Sequence, residues 1–465
     1  MPDRLSALDA SFLYLEDSTT PMHVGELAVF RRPRTGFDYD RLVELIEQRL
    51  ALVPRYRQKV VHVPGRVARP VWVDDPDFDV AYHVRRSALP KPGNDAQLRE
   101  LVARLMSRPL DHTRPLWEIY LVEGLARNRA AVITKTHQAV VDGIGAMEIG
   151  QVILDVSPTP RAPVENLWMP QPEPSPMQLV MDAVAEAVQR PGELVENVRS
   201  ATMDTVATVQ KIAGALGGLA SAVRTAVTPP PGSPLNVRIS PQRRFAVART
   251  RLEDYRAIRR VHGGTVNDVV LAALSGAMRN WLLSRGEAVT ASTTMRAMAP
   301  MSVRNADGDG ASPGNRVSAF LVDLPVGEPN PVVRLHHVSH EMREHQESGQ
   351  SVAADALVKV SGFAPPTLHA LGARAASSFS RRLFNVVVSN VPGPQVPLYA
   401  AGAKMVEIFP VVPLAKNQAL SIGVTSYDGG VYFGLNADRD AMSDVDVLAM
   451  MVEESVEELM GTVSE

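Results

Sequence analysis

Apolar and polar positions alternate with a period that changes along this chain, and the changes mark its elements. Residues 24–30 and 71–73 are short apolar runs that read as strands, since branched side chains suit a pleated, half-buried surface. Over 41–53 the period becomes helical, with Leu42, Leu45, Ile46 and Leu50 on one face. A further helix is predicted over 97–106, then strands over 116–122 and 131–136. In the later part, 267–285 is the strongest helix, its buried side lined by Leu271, Leu274, Met278 and Leu282. Residues 384–388, 420–424 and 431–435 read as strands, and 445–460 as an amphipathic helix. No internal repeat stands out. Mixed helix and strand on both sides of a central seam predict an α/β chain in two parts.

Proline makes that seam. It recurs at 158, 160, 163, 170, 172, 174 and 176, a density that excludes helix interiors and central strands. A second break stands at Pro229-Pro230-Pro231-Gly232-Ser233-Pro234. Between them, 177–227 reads as helix interrupted at Pro191-Gly192: Val180, Val184 and Val188 fall at i, i+4, i+8, with Ala183 and Ala187 beside them. Two roles stay open for this segment: a helical hairpin packed on the body or on another subunit, or a lipid-facing element. The organisation that follows is a first part over 1–160, a Pro-rich linker and helical segment over 161–240, and a second part over 241–465.

Composition narrows the class. The chain has 465 residues, too many for one ordinary core. Apolar residues make up 45% and charged residues 21%, as in a globular protein. Lys and Arg number 48 against 51 Asp and Glu, a net charge of -3. That balance offers no basic face for nucleic acid. With no cysteine, disulfides, thiolate metal ligands and thiol nucleophiles are excluded. The start, Met1-Pro2-Asp3-Arg4, lacks the apolar region of a signal peptide, and no apolar run reaches the ~18 residues that span a bilayer. The expectation is a cytoplasmic protein.

The chemistry concentrates at Lys135-Thr136-His137-Gln138-Ala139-Val140-Val141-Asp142-Gly143, which follows an apolar strand. It resembles the His-His-x-x-x-Asp-Gly signature of acyl-CoA-dependent acyltransferases, with Gln138 at the second His. Acyl transfer from a thioester to an alcohol needs a base for the hydroxyl proton, donors for the oxyanion and a dry channel that aligns both substrates. Histidine suits the base role because its pKa lies near working pH. Glutamine donates and accepts hydrogen bonds but takes no proton near neutral pH.

Further blocks appear in order: Leu8-Asp9-Ala10-Ser11-Phe12-Leu13; Pro115-Leu116-Trp117 with Glu123-Gly124-Leu125; Val266-Asn267-Asp268; Arg296-Ala297-Met298-Ala299-Pro300-Met301-Ser302 with Gly314-Asn315; and Ser389-Asn390-Val391-Pro392-Gly393-Pro394. Together they resemble the bacterial wax ester synthase/diacylglycerol acyltransferase family over most of the chain. The resemblance implies a fold like chloramphenicol acetyltransferase: two mixed-sheet α/β halves with flanking helices and a tunnel between them. It implies an O-acyltransferase with acyl-CoA as co-substrate, diacylglycerol or a long-chain alcohol as acceptor, and no metal or resident cofactor. Peripheral contact with membrane or lipid bodies would suit such substrates. By the same resemblance, Gln138 holds the place of the general base and His137 that of the first His. Asp142 anchors the motif loop and Gly143 turns it, while Trp117, Asn267, Asp268, Ser389 and Asn390 lie on the substrate side. The alternatives are a catalytically impaired acyl-CoA or lipid-binding relative, and a relative that accepts acyl groups from a carrier protein. Oligomeric state stays open.

Each residue also has a plainer reading. Asn267 and Asp268 suit a helix cap, Trp117 a core, and Ser389-Asn390 a strand-to-turn junction. His336 and His340 share a helical face at i, i+4 but lack an acidic third ligand by spacing, so a solvated face is expected. Gly310-Ala311-Ser312-Pro313-Gly314 matches the letters of a nucleophile elbow. No apolar strand precedes it, however, and Pro313 lacks the N–H that such a site needs.

Overall fold

A computed structural model describes residues 2–34, 36–141, 149–162, 168–189, 232–303, 316–348 and 383–463. The strands are β1 (His23–Arg31), β2 (Gln58–Val61), β3 (Val71–Asp74), β4 (Val84–Ala88), β5 (Trp117–Leu125), β6 (Arg129–His137) and β7 (Arg243–Arg251). They continue as β8 (Met295–Val303), β9 (Arg316–Leu324), β10 (Val386–Pro392), β11 (Tyr399–Ala400), β12 (Ala403–Val411), β13 (Leu420–Tyr427) and β14 (Gly430–Asp438). The α-helices are α1 (Ala7–Leu15), α2 (Tyr39–Arg49), α3 (Val80–His83), α4 (Asp95–Met106), α5 (Gln138–Val141), α6 (Ile149–Val152) and α7 (Pro176–Gln189). The later ones are α8 (Leu252–His262), α9 (Val266–Ser284), α10 (Pro331–Ser348) and α11 (Val445–Gly461).

Two six-stranded mixed sheets form, in the orders β11-β12-β1-β6-β5-β4 and β7-β14-β13-β10-β8-β9. In the first, β4 and β5 run parallel and the other pairs antiparallel. In the second, β10 lies parallel to both β8 and β13. The expected α/β architecture of two mixed-sheet halves is borne out. The partition between sheets does not follow the chain, however. β11 and β12 come from the second part, yet β12 pairs with β1 of the first, Glu26 opposite Pro410 and Leu27 opposite Phe409. The edge is pinned where Asp155 and Tyr399 exchange backbone hydrogen bonds, both 2.8 Å.

Packing follows the patterns. β6 is central, and from Ala130 to His137 every residue is buried, so both faces carry apolar side chains. One side packs on α2 through Leu42, Leu45 and Ile46, and the other on α4 through Leu98, Leu101 and Met106. Phe245 of β7 and Tyr432 of β14 join the α4 cluster, which ties the halves together. In the second half α9 is the core helix, with Val269–Leu274 and Met278 buried against α11 and the sheet. The crossing of β12 over the second sheet is close: a Cβ at Gly434 would lie 1.9 Å from the Pro410 carbonyl oxygen, so only glycine fits.

Some readings need adjustment. The helix expected over 41–53 ends at Arg49 and gives way to 3₁₀ turns, because Pro54 cannot continue it. Of the helical segment 177–227, α7 is described to Gln189, and the rest, with Pro191-Gly192, lies outside the described residues. So do the stretches holding Asp142, Gly143 and Gly310–Gly314.

Candidate active site

The motif strand delivers its last residues to a fixed place. The His137 N–H bonds the Leu116 carbonyl and the Gln138 N–H bonds the Met22 carbonyl, both at 2.9 Å. β6 ends there and α5 begins. The His137 ring has no exposed surface. Its Nδ1 accepts from the Ala139 N–H at 3.1 Å, which places the ring proton on Nε2. That nitrogen faces Glu16 Oε2 at 3.5 Å. Gln138, one residue on, is half-buried, and its amide makes no hydrogen bond among the described residues. His137 therefore supports the motif from behind, and the Gln138 amide is a polar group unpaired among the described residues.

Glu16 anchors a titratable cluster that the sequence spacing did not reveal. It caps the C-terminus of α1, which packs on α5. Its Oε1 accepts from the Met22 N–H at 3.3 Å, and its Oε2 lies 2.7 Å from His112 Nε2. The His112 and His137 rings stand edge to face, 5.9 Å apart. Burial raises the Glu16 pKa, but bonds to His112 and His137 outweigh it and hold the carboxyl well below its ordinary range. The bond to Glu16 in turn raises the His112 pKa, against burial.

Beside this cluster lies a second buried network. Lys135, 1% exposed, sits 3.5 Å from Glu118, which also pairs with Arg85 at 3.3 Å and accepts from Tyr120 Oη at 2.7 Å. Burial pulls the Lys135 pKa down to about 8 despite the attraction of Glu118. His23, opposite His137 on β1, is held neutral by burial and by Lys135, with Nε2 2.8 Å from the Met106 carbonyl.

The substrate-side residues fall in different places. Asn390 and Asn267 meet, Nδ2 to Oδ1 at 2.9 Å, joining the end of β10 to the first turn of α9. The Asn267 Nδ2 is buried without a hydrogen-bond partner among the described residues. Ser389 lies beside this pair in β10, opposite Gly423 of β13. Asp268 is instead structural. The cap of α9 is Thr265, and Asp268 closes a capping box with it: Asp268 N–H to Thr265 Oγ1 at 3.2 Å, Thr265 N–H to Asp268 Oδ2 at 2.8 Å. Trp117 also needs correction as a substrate-binding residue. It has no exposed surface, stacks on His83 at 4.5 Å and donates Nε1–H to the Tyr56 carbonyl at 2.7 Å, so its place is in the core. His336 and His340 are exposed on α10, as expected of a solvated face. Among the described residues no three metal-binding side chains converge.

The family model for the wax ester synthase/diacylglycerol acyltransferase catalytic domain matches residues 5–270, and that for the C-terminal domain of the same family matches 313–460. The chain belongs to this family. A probable diacylglycerol O-acyltransferase of Mycobacterium tuberculosis, tgs1, is 34% identical over 99% of this chain and 96% of its own length. Another from that species, tgs3, is 50% identical over 56% of this chain and 96% of its own length. Among solved structures, the wax ester synthase/diacylglycerol acyltransferase of Marinobacter aquaeolei VT8 superposes with a TM-score of 0.71 at 27% identity, over the whole of both chains. The first condensation domain of the calcium-dependent antibiotic synthetase reaches 0.59 at 14% identity, over 100% of this chain and 97% of its own, and so shares the fold alone.

Proposed function

We propose that this protein moves the acyl group of a long-chain acyl-CoA to the hydroxyl of diacylglycerol or of a long-chain alcohol, making triacylglycerol or wax ester. The observation that carries the reading is the agreement of both family domains, 5–270 and 313–460, with the chain, on a fold in which β12 of the second part pairs with β1, the strand beside the motif strand. Acyl-CoA is a co-substrate here, and the reading calls for no metal or resident cofactor. The Gln138 amide, unpaired among the described residues, can orient an acceptor hydroxyl, and the Asn267 donor beside Asn390 supplies a second polar contact. The test is CoA release from palmitoyl-CoA. Release that depends on added dioleoylglycerol or hexadecanol supports the reading. Acyl-CoA binding without acceptor-dependent release, in this chain and in Gln138→His alike, contradicts it and favours a binding protein.

Cytoplasmic residence with peripheral contact at a lipid surface belongs to the same proposal. Among the described residues no helix is long and apolar enough to cross a membrane. α7 packs Leu179 and Ala183 on Val63, Val71 and Val73, while Met177, Met181 and Val184, at i, i+4 and i+7, remain 75%, 65% and 56% exposed. An apolar stripe of this kind suits the headgroup boundary. Flotation with phospholipid vesicles is expected, weakened by Met177→Ser with Met181→Ser. A protein that stays at the bottom of the gradient contradicts it.

A further inference from the structure

The acyl transfer proposed above needs a base, and position 138 holds a side chain that cannot serve. His137 cannot replace it, because Ala139 N–H occupies its Nδ1 lone pair and its Nε2–H faces Glu16 inside the protein. His23 is 2% exposed, with Nε2 at the Met106 carbonyl, and His83 is 1% exposed, with Nδ1 at the Trp117 carbonyl. His112 differs from all three. Its side chain is 44% exposed, its Nε2 is held by Glu16 at 2.7 Å, and its Nδ1 makes no hydrogen bond among the described residues. A carboxylate behind an imidazole fixes the tautomer and steadies the imidazolium when the outer nitrogen takes a proton.

The dyad also stands where the halves meet. Asp17, next to Glu16, pairs with Lys416 at 3.3 Å, and the Thr19 carbonyl accepts from Arg243. The Arg243 N–H bonds Ser107 Oγ, in the turn leading towards His112, at 3.0 Å. Both Lys416 and Arg243 come from the second part of the chain. Thr19 borders an open groove of ≈ 710 Å³ that is also lined by Arg238, Pro241 and Asp438.

We propose that His112, oriented by Glu16, is the general base for the acceptor hydroxyl in this chain, in the role that position 138 does not fill. The proposal rests on the acyltransferase reading. The hydroxyl proton passes to His112 Nδ1 as the oxygen bonds the thioester carbonyl carbon. The tetrahedral adduct then collapses, the C–S bond breaks with its electron pair on sulfur, and Nδ1 returns the proton to the CoA thiolate. Glu16 stays ionised throughout.

The charged and titratable groups facing His112 are Glu16 at the end of α1, Asp111 in its own turn, His137 of β6, and His62. The carboxylates dominate and keep the imidazole protonated above its ordinary value of 6.5. The neutral, proton-accepting form therefore prevails only at higher pH.

The test is the pH profile of kcat/KM for acyl transfer in the chain as given, His112→Gln, Glu16→Gln, Gln138→His and the double variant His112→Gln/Gln138→His. The chain as given is expected to gain activity with pH through a limb above 6.5. His112→Gln loses ~10²–10⁴-fold in rate and loses that limb. Glu16→Gln moves the limb to lower pH, a shift that a merely structural glutamate does not produce. The double variant regains turnover through the new His, which shows that His112→Gln folds. A His112→Gln enzyme with full rate and an unmoved limb overturns the proposal and leaves acyl transfer standing, as does turnover by Gln138→His alone. No turnover by any of them, the new His included, overturns the acyltransferase reading and the proposal with it.

Discussion

Trp117 decides whether the Pro-Leu-Trp block touches ligand or holds the site from behind. The indole is wholly buried, stacked on His83 at an interplanar angle of 15° and edge-on to Tyr56 at 5.7 Å. Its Nε1–H bonds the Tyr56 carbonyl, and the Tyr56 hydroxyl in turn accepts from the Ile149 N–H at 3.0 Å, at the start of α6. Trp117→Ala removes a full core side chain, which costs ~3–5 kcal/mol where the surroundings collapse only partly. Trp117→Phe keeps an aromatic ring but leaves the buried Tyr56 carbonyl without this donor, at ~1–3 kcal/mol. The assay is equilibrium urea unfolding followed by far-UV circular dichroism, beside the KM for acyl-CoA. The account predicts graded loss of stability, alanine more than phenylalanine, with KM little changed in the folded fraction. A Trp117→Ala protein within ~0.5 kcal/mol of the parent, with KM raised tenfold, would refute the core assignment.

Three further outcomes follow from the packing and the buried charges. Asp155 holds Arg49 at 3.2 Å with side chains 3% and 2% exposed, and also takes Arg161 at 2.5 Å. Asp155→Ala should therefore cost ~3–5 kcal/mol in urea unfolding, and Arg49→Met with Asp155→Leu should recover most of it. Lys135 titrates at about 8 when folded, below its ordinary 10.5, so the folded state binds fewer protons between those values. Its penalty is full below pH 8 and relieved as pH rises. Stability should gain up to ~3 kcal/mol from this group across that window, and unfolding from pH 8 to 10 should show the gain absent in Lys135→Met. Gly434→Ala would set a methyl against the Pro410 carbonyl and force β12 from the second sheet, costing ~1–3 kcal/mol or more by the same unfolding assay.

How far these features were legible depends on how local their causes are. β1, β6 and α9 were readable because their apolar periods are nearly uninterrupted and each is buried where its pattern says. β7 was not read: Arg-Arg-Phe-Ala-Val-Ala-Arg-Thr-Arg looks polar, and its arginines are accommodated by distant acids, Arg249 by Glu407 at 2.7 Å. β12 is not legible because Lys404, Glu407 and Pro410 interrupt its apolar run, and its partner β1 lies nearly the whole chain away. The α9 cap was misplaced by two residues. Thr265 with Asp268 three positions later is the capping-box signal that sets the cap there rather than at Asn267.

The site divides the same way. The motif strand and its Gln138 departure are local and visible in the sequence. The Glu16–His112–His137 cluster joins residues from three separate segments, so no spacing announces it. Nor does a sequence tell which ring nitrogen is occupied, and that point removes His137 from the choice of base.

The most direct measurement is mass-spectrometric detection of lipid product from the purified chain, given isotope-labelled palmitoyl-CoA with dioleoylglycerol or hexadecanol. The account predicts labelled triacylglycerol or wax ester together with stoichiometric CoA. Labelled palmitate alone, or intact acyl-CoA, in this chain and in Gln138→His would contradict it.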